Sequence, residues 1–215
     1  GKAETEARQQ RRQTGYGKLI MKLLQLQKRT MALAGSVLTA YLIFHMLSNL
    51  SFFSAPAFEA FYDFYNQPWL RWPLLLLVLV SLGIHVRAAV AIRTKNRLAR
   101  QVGYKKHDKP HVPAPLVSLS IAFLLLFIIV HIAQTLLMDT QQLRAELVSW
   151  FASAWMLLFY LAGLFVLAMH LQHSLVNVLQ TLGISSHRHK ALIISGVVLL
   201  TLGFAAVPVY IWTGL

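Results

Sequence analysis

Apolar residues occur along the chain in five long runs separated by shorter polar segments. Each run exceeds about 20 residues, which at 1.5 Å per residue lets a helix cross a hydrocarbon core of about 30 Å. The pattern therefore predicts an all-α integral membrane protein with five transmembrane helices. We number these predicted spans I to V in chain order: Met31–Phe53, Leu70–Ile92, Pro115–Met138, Val148–Gly183 and Ala191–Trp212.

The segments outside these spans have patterns of their own. Residues 1–30 form a basic tail, predicted as one region, with the transmembrane domain at 31–215. Within the tail, Tyr16–Lys28 mixes leucines with lysines, which favours an amphipathic helix on lipid headgroups or against a soluble partner. The loop Ser54–Trp69 carries aromatic residues at helical spacing, which predicts a short interfacial helix.

The composition supports a membrane protein and limits its chemistry. Hydrophobic residues make up 57% of the chain and charged residues only 13%, against about 25% charged in soluble domains. The chain has no cysteine, which excludes disulfides, cysteine-ligated zinc, iron–sulfur clusters and thioether-linked haem. A haem would have to be held by histidine or methionine.

The formal charge of +13 is unevenly distributed. Of the 20 Lys and Arg residues, 18 lie in the tail, in residues 87–113 and in the turn between spans IV and V. Arg71 and Arg144 alone lie on the other side. By the positive-inside rule, the N-terminus is expected in the cytoplasm, and a bacterial inner membrane is the expected setting. The excess charge is assigned to orientation, with no nucleic-acid partner.

Spans I to IV each contain one histidine deep in apolar sequence, a costly position that needs a reason. His45 and His131 lie eight and seven residues before the outer ends of their spans, about 10–12 Å deep. His85 and His170 both fall in the cytoplasmic halves of theirs. Two pairs at matching depth predict axial ligands for two haems, His45 with His131 and His85 with His170.

Other interpretations of these residues stay open. A lone intramembrane histidine usually hydrogen-bonds a neighbouring helix, and the small residues near these histidines suit close helix packing as well as a porphyrin. No Asp or Glu lies in any span, which argues against a carboxylate proton relay. The remaining candidates for propionate or quinone contacts are Arg71, Arg29, Arg87, Ser36 and His173.

Several motifs resemble one known family. They are FHMLSNL (44–50), PAFEAFYDF (56–64), GIHVRAA (83–89), IIVHIAQT (128–135) and MHLQHSLVNVLQTLG (169–183). The chain resembles the membrane-anchor cytochrome b subunit of succinate:quinone oxidoreductases, in the type with five helices and two b haems in one chain. The resemblance implies the same ligand pairing, I with III and II with IV, and it favours His170 over His173 as the fourth ligand. Ser174 stands where the family often has Gly.

The resemblance implies a function as well. The chain would anchor the flavoprotein and iron–sulfur subunits of a succinate dehydrogenase or fumarate reductase on the cytoplasmic face. It would pass electrons between them and a quinone, expected to be menaquinone, through two b haems, without containing the dicarboxylate site. Membrane lipid is a further partner, and a higher oligomer of the complex is open. The alternatives are a non-redox transporter with intramembrane histidines, or another dihaem cytochrome b anchor such as that of a hydrogenase.

Overall fold

The computed structural model describes residues 2–99, 114–181 and 187–214, all of them helical or in short connections. Side chains of residues 2–20, and of a few next to the two gaps, lie outside the described part. Every element in these ranges is a helix, which confirms the all-α prediction. The α-helices are α1 Lys2–Leu50, α2 Ala55–Tyr65, α3 Pro68–Ala99, α4 Ala114–Leu137, α5 Leu143–Phe151, α6 Ala154–Thr181 and α7 His187–Thr213, with a 3-10 turn at Ser51–Phe53.

Five of these helices are long and apolar enough to cross a membrane, which confirms the five predicted spans. Their mean hydropathies lie between 1.6 and 2.8. Large apolar side chains such as Leu137 and Trp155 are more than four-fifths exposed, as expected where lipid and not water surrounds the chain. The protein is therefore of the multi-pass α-helical membrane class. The apolar stretches are Met21–Phe53, Pro68–Asn96, Leu116–Leu137, Ala154–Leu179 and His189–Thr213.

The tail and the first span form one uninterrupted helix, α1. The sequence interpretation treated the amphipathic segment Tyr16–Lys28 as a separate element, and the structure has no break at its end. The reason is local, because neither Gly nor Pro occurs between Gly17 and Gly35 to stop the helix. Within the described side chains, the apolar stretch of α1 covers Met21–Phe53 and so includes the predicted span I.

The prediction that span IV begins at Val148 is wrong. Val148 lies in the short helix α5, and the spanning helix α6 begins at Ala154. Between them the chain turns at Ala152 and Ser153, whose amides donate to carbonyls of α5. Apolar residues continue through this turn, so the hydrophobic pattern hides it. His170 is therefore 16 residues into its helix, against 17 for His85 in α3. The predicted end at Gly183 lies outside the described residues.

The described chain forms two units. One comprises Gly1–Tyr41 and Trp72–Lys105, and in it α1 and α3 are joined by a hydrogen bond from Nζ of Lys95 to Oε1 of Gln27, at 2.9 Å. The other comprises Leu42–Arg71 and Lys106–Leu215. In this second unit α6 packs against α4 and α7. Its buried residues include Met46, Phe52, Phe58, Leu124, Phe127, Phe151, Tyr160, Leu164, Leu171, Val197, Leu200, Phe204 and Val207.

The loop after α1 contains the predicted short helix. It is α2, which has Pro56 in its first turn, where a missing N–H is tolerated. Phe58 of α2 is 2% exposed and packs against Phe52 and Val207. The aromatic residues of the predicted interfacial helix thus include one, Phe58, that is fixed in the core of the second unit.

Candidate functional site

Two of the predicted ligands lie side by side in the second unit. His45 is on α1, five residues before Leu50, and His131 is on α4, six residues before Leu137. Their imidazole ring centroids are 5.7 Å apart, and the ring planes are inclined by 48°. The structure therefore brings together the pair that was predicted from equal depth. The prediction that this pair binds haem iron is a further step.

The separation of these rings fits two imidazoles on opposite sides of one metal ion. A metal–imidazole bond is about 2 Å long, so the two coordinating nitrogens would be about 4 Å apart and the ring centroids about 6 Å apart. The observed centroid distance of 5.7 Å is close to this value. Both ring planes would contain the metal–nitrogen axis and could turn about it, so an inclination of 48° is compatible. The spacing and inclination of the two rings thus fit a haem with two histidine ligands.

Aromatic side chains enclose the histidine pair. Phe127, one turn before His131 on α4, stacks on its imidazole with centroids 6.1 Å apart and an angle of 15°. Phe204 of α7 lies against His45 at 5.5 Å. Both phenylalanines are buried. Imidazoles in such apolar surroundings are costly unless their ring nitrogens are engaged, so the groups that bond these nitrogens bear on the function.

Tyr160 of α6 forms a hydrogen bond with His131. Its Oη is 3.1 Å from Nδ1 of His131. The same hydroxyl donates to Oε1 of Gln134 at 2.9 Å, and Nε2 of Gln134 donates to Sδ of Met156 at 3.5 Å. The sequence interpretation missed both Tyr160 and Gln134. Gln134 could have been found, because it is a polar residue in an apolar span, three positions after His131 and so on the same helix face.

Gly163 shows how closely α6 approaches α4. A Cβ atom at Gly163 would lie 2.5 Å from the ring of Phe127, the residue that stacks on His131. On α7, a Cβ atom at Gly203 would similarly lie 2.5 Å from Sδ of Met46. At these two positions the small residue serves close packing, which is the alternative that the sequence left open.

His85 in the first unit is bonded to the main chain of α1. Its Nδ1 is 3.2 Å from the carbonyl oxygen of Met31. A carbonyl only accepts, so Nδ1 is the donor, and in the neutral imidazole Nε2 then carries the lone pair. Gly35, one turn after Met31, leaves room for this approach, because a Cβ atom there would lie 3.2 Å from Nδ1 and Cε1 of His85. His85 is therefore in the tautomer that a ligand bonding through Nε2 requires.

His170 and His173 differ in their surroundings on α6. His170 is half-buried, and its carbonyl oxygen accepts a hydrogen bond from Oγ of Ser174 at 2.8 Å. His173 is exposed, and its Nε2 is 3.0 Å from Nδ2 of Asn177, one turn further along the same helix. This local contact gives His173 a partner within α6. Because His85 and His170 belong to different units, their pairing stays a prediction.

The other predicted contact residues are spread along the first and third helices. Arg29 and Arg87 are exposed and Arg71 is half-buried. Ser36 is exposed, and its Oγ donates to the carbonyl oxygen of Ala32 on its own helix at 2.9 Å. This bond uses the hydroxyl hydrogen of Ser36, and its role toward a quinone or a propionate stays a prediction. For the three arginines, the roles toward propionates or a quinone stay predictions.

Arg144 lies in α5, outside the spanning helices, and contacts an aromatic ring. Its guanidinium carbon lies 4.7 Å from the ring centroid of Phe52, a cation–π distance. Its Nε is buried and has no hydrogen-bond partner among the described residues. The sequence interpretation noted Arg144 as an outer base but did not place it among the candidate site residues.

Within the described ranges, no group of three or more His, Cys, Asp or Glu side chains could hold a metal ion. Such a group is not needed for haem, which brings its own porphyrin nitrogens and takes only axial ligands from the protein. Comparison of the chain with protein-family models, with curated proteins and with solved structures finds no match.

Proposed function

We propose that the chain is the membrane-anchor cytochrome b subunit of a succinate:quinone oxidoreductase, with two b haems. The observation that carries the proposal is the approach of His45 and His131, from two helices, to 5.7 Å between ring centroids in apolar surroundings. An isolated histidine in a span has common structural explanations. Two neighbouring imidazoles, with centroids at the spacing of a bis-imidazole metal site, are better explained by a shared ligand.

In the proposed outer site, His45 and His131 hold the haem and Phe127 and Phe204 exclude water from it. When bound, the haem supplies one-electron oxidation and reduction. With His45 and His131 as its two protein ligands, the haem would serve electron transfer and would not bind a substrate at the iron. The surrounding rings add the apolar environment that helps to set the potential of such a site.

The proposed inner site uses His85 and His170. Its support in the structure is the Nδ1 contact of His85 with the carbonyl oxygen of Met31, since ligating histidines typically donate their other ring N–H to such a group. His170 enters as the partner through the motif MHLQHSLVNVLQTLG and through its position, 16 residues into α6, next to 17 for His85 in α3.

The two sites together would form an electron path between the surfaces of the membrane. The N-terminus and the basic segments would face the cytoplasm of a bacterium, because 18 of the 20 Lys and Arg residues fall in the tail, in residues 87–113 and in the turn between spans IV and V. There they would dock the flavoprotein and iron–sulfur subunits that interconvert succinate and fumarate. Menaquinone is the proposed membrane partner, as in the family that the chain resembles.

The haem content of the full chain tests the proposal. A pyridine haemochrome spectrum of the chain purified in mild detergent is expected to show two b haems per chain. His45→Ala is expected to show one, and the matched control His173→Ala two, because His173 already bonds Asn177 on its own helix. A chain without Soret absorption would overturn the proposal and favour a transporter.

The electron donor distinguishes this complex from other cytochrome b anchors. Membranes that contain the intact complex are expected to show reduction of both haems by succinate, monitored as the α-band of ferrous haem b. Reduction by hydrogen and not by succinate would assign the chain to a hydrogenase and would overturn the succinate assignment while leaving the haem sites in place.

A further inference from the structure

The hydrogen-bonded chain behind His131 has a direction that can be derived from its atoms. The hydroxyl of Tyr160 has a single hydrogen, which it donates to Oε1 of Gln134 at 2.9 Å. Toward Nδ1 of His131, 3.1 Å away, the hydroxyl can then only accept. Nδ1 of His131 must therefore be the donor, and the proton of the neutral imidazole resides there.

The orientation of the Gln134 amide supports this direction. Its Nε2 lies 3.5 Å from Sδ of Met156, so an N–H group faces a weak acceptor. The reversed amide would place its oxygen against the sulfur and leave two acceptors facing each other. It would also turn the hydroxyl of Tyr160 around and move the proton of His131 to Nε2. Gln134 thus determines the tautomer of a histidine to which it is not bonded.

The environment of Tyr160 keeps this arrangement fixed. Tyr160 is 8% exposed, and its ring packs edge-on against Phe151 at 4.9 Å and Phe127 at 5.4 Å between centroids. Water is excluded from the ring, so there is little competition for its hydrogen bonds, and in low dielectric surroundings such bonds strengthen one another. The three groups come from α4 and α6 of the second unit, whose helices pack directly against each other.

We propose that Tyr160 and Gln134 are positioning residues that hold His131 in the Nδ1–H tautomer and so present its Nε2 to the iron of the outer haem. The inference rests on the proposed function. It adds that the donated hydrogen bond makes His131 a more basic ligand, because partners of this kind raise ligand basicity. A more basic ligand favours ferric over ferrous iron, so the pair lowers the potential of the outer haem.

Tyr160→Phe tests the proposal, because it removes the hydroxyl and keeps the ring that packs on Phe151 and Phe127. In a potentiometric titration, the outer haem of this variant is expected at a higher potential and the inner haem at its wild-type potential. A tenfold change in the preference for ferric haem would correspond to about 59 mV. Retention of the outer haem in competition with apomyoglobin is expected to weaken about tenfold.

Two further variants separate positioning from packing. Tyr210→Phe, which removes a hydroxyl from a partly exposed tyrosine on α7, is expected to leave both potentials unchanged. Gln134→Leu keeps the hydroxyl but removes its acceptor, so a smaller shift in the same direction as in Tyr160→Phe is expected. An outer haem with wild-type potential and retention in Tyr160→Phe would overturn the proposal, whatever the thermal stability of that variant.

The tautomer itself can be measured without reference to haem. In chain labelled with 15N-histidine, the signal that disappears in His131→Ala identifies His131, and its shifts are expected to show a protonated Nδ1 in the haem-free wild type. In Tyr160→Phe the same signal is expected to move toward a mixture of tautomers. A haem-free chain in native membranes would overturn the proposed function, and a His131 protonated at Nε2 would overturn the present inference alone.

Discussion

His131 and His85 are held at the same ring atom by two different kinds of group. In the second unit, Nδ1 of His131 bonds the side chain of Tyr160, which is itself oriented by Gln134. In the first unit, Nδ1 of His85 bonds a main-chain carbonyl, that of Met31. Both arrangements put the proton on Nδ1, although they use unrelated residues.

The difference teaches where each site is sensitive to mutation. A side-chain partner can be removed by a substitution that leaves the packing intact, as in Tyr160→Phe. A main-chain partner cannot be removed by substitution, so the hydrogen bond of His85 depends on whether its ring can reach the carbonyl oxygen of Met31. The ring can reach it because Gly35 has no Cβ atom. The site of His131 should therefore respond to loss of a hydrogen bond, and the site of His85 to added volume.

The largest expected effect comes from removing the histidine of the first unit. His85→Ala is expected to lower the haem content from two to one, because an iron with one protein ligand in place of two is held far more weakly. The remaining haem should be the outer one. Its potential should equal that of the wild-type outer haem and should still rise when Tyr160→Phe is added. Pyridine haemochrome and potentiometric titration measure both quantities. If His85→Ala retained two haems, His85 would not be a ligand and its bond to Met31 would be structural only.

A smaller but still substantial effect is expected from Gly163→Ala in the second unit. The added Cβ atom would lie 2.5 Å from the ring of Phe127, so this ring must move and with it the stacking on His131. Overpacking of this kind costs about 1–3 kcal/mol of stability. The measurement is thermal unfolding in detergent, with Gly196→Ala as control, since a Cβ atom at Gly196 meets nothing within 4 Å.

The double variant Gly163→Ala/Phe127→Leu sharpens this prediction. Leucine lacks the rigid aromatic ring, including the Cε2 atom 2.5 Å from the new Cβ atom, so Gly163→Ala is expected to cost less stability in the Phe127→Leu background than in the wild type. A double-mutant cycle measures this difference as coupling between the two positions. Strict additivity would contradict the proposed contact between them.

Much of the architecture and part of the site can be predicted from the sequence. The five apolar runs predict the spans because burial in lipid requires a continuous stretch of apolar residues, and each histidine stands out in such a stretch. The turn at Ala152 and Ser153 has no such signal, since the residues around it are as apolar as a helix interior. The start of α6 was therefore misplaced by six residues.

The hydrogen-bond partners of the histidines could not be predicted from the sequence, for a different reason. Tyr160 meets His131 only because α4 and α6 are turned about their own axes by a particular amount, and this rotation is set by contacts such as that of Gly163 with Phe127. The hydrophobic periods of these helices are too uniform to define a face. Gly35 precedes His45 in the sequence, whereas in the structure the imidazole of His85 lies in the space that a Cβ atom at Gly35 would need.

Gly35→Ala is the counterpart of Gly163→Ala in the first unit, with a smaller expected effect. Its Cβ atom would lie 3.2 Å from the imidazole of His85, so the ring needs to move by only a few tenths of an ångström. We expect a loss of stability of about 1 kcal/mol, at the low end for overpacking. The potential of the inner haem should shift while that of the outer haem stays, because the bond from His85 to Met31 is lengthened.

Gly83→Ala is the matched control on the helix that carries His85. A Cβ atom at Gly83 meets nothing within 4 Å, and Ala favours a helix over Gly. Both potentials should therefore stay at their wild-type values in Gly83→Ala. The prediction for Gly35→Ala assumes that a change at His85 does not affect the outer site. A shifted potential of the outer haem in Gly35→Ala would contradict this assumption.

The smallest expected effect concerns a tyrosine–amide hydrogen bond that has no histidine attached. The hydroxyl of Tyr62, in α2, donates to Oδ1 of Asn49 at 3.3 Å, longer than the 2.9 Å between Tyr160 and Gln134. Tyr62→Phe is expected to cost about 0.5 kcal/mol at neutral pH, the low end for a hydrogen bond. Neither haem potential should change in Tyr62→Phe. If the potential of the outer haem shifted as much as in Tyr160→Phe, the potential would report a general loss of packing and not the hydrogen bond of His131.

The pH dependence of Tyr62→Phe gives a second way to check this contact. Burial raises the pKa of the Tyr62 phenol above its ordinary value of 10.0. A group whose folded pKa is raised contributes stability that is fully present below its unfolded pKa and is lost as the pH rises toward the folded one. Wild-type stability should therefore fall more steeply than that of Tyr62→Phe above about pH 10. The measurement is the thermal midpoint of the wild type and of Tyr62→Phe as a function of pH. If the two midpoints fell in parallel from about pH 9 upward, the pKa of Tyr62 would be the same in the folded and the unfolded chain, and the prediction would be wrong.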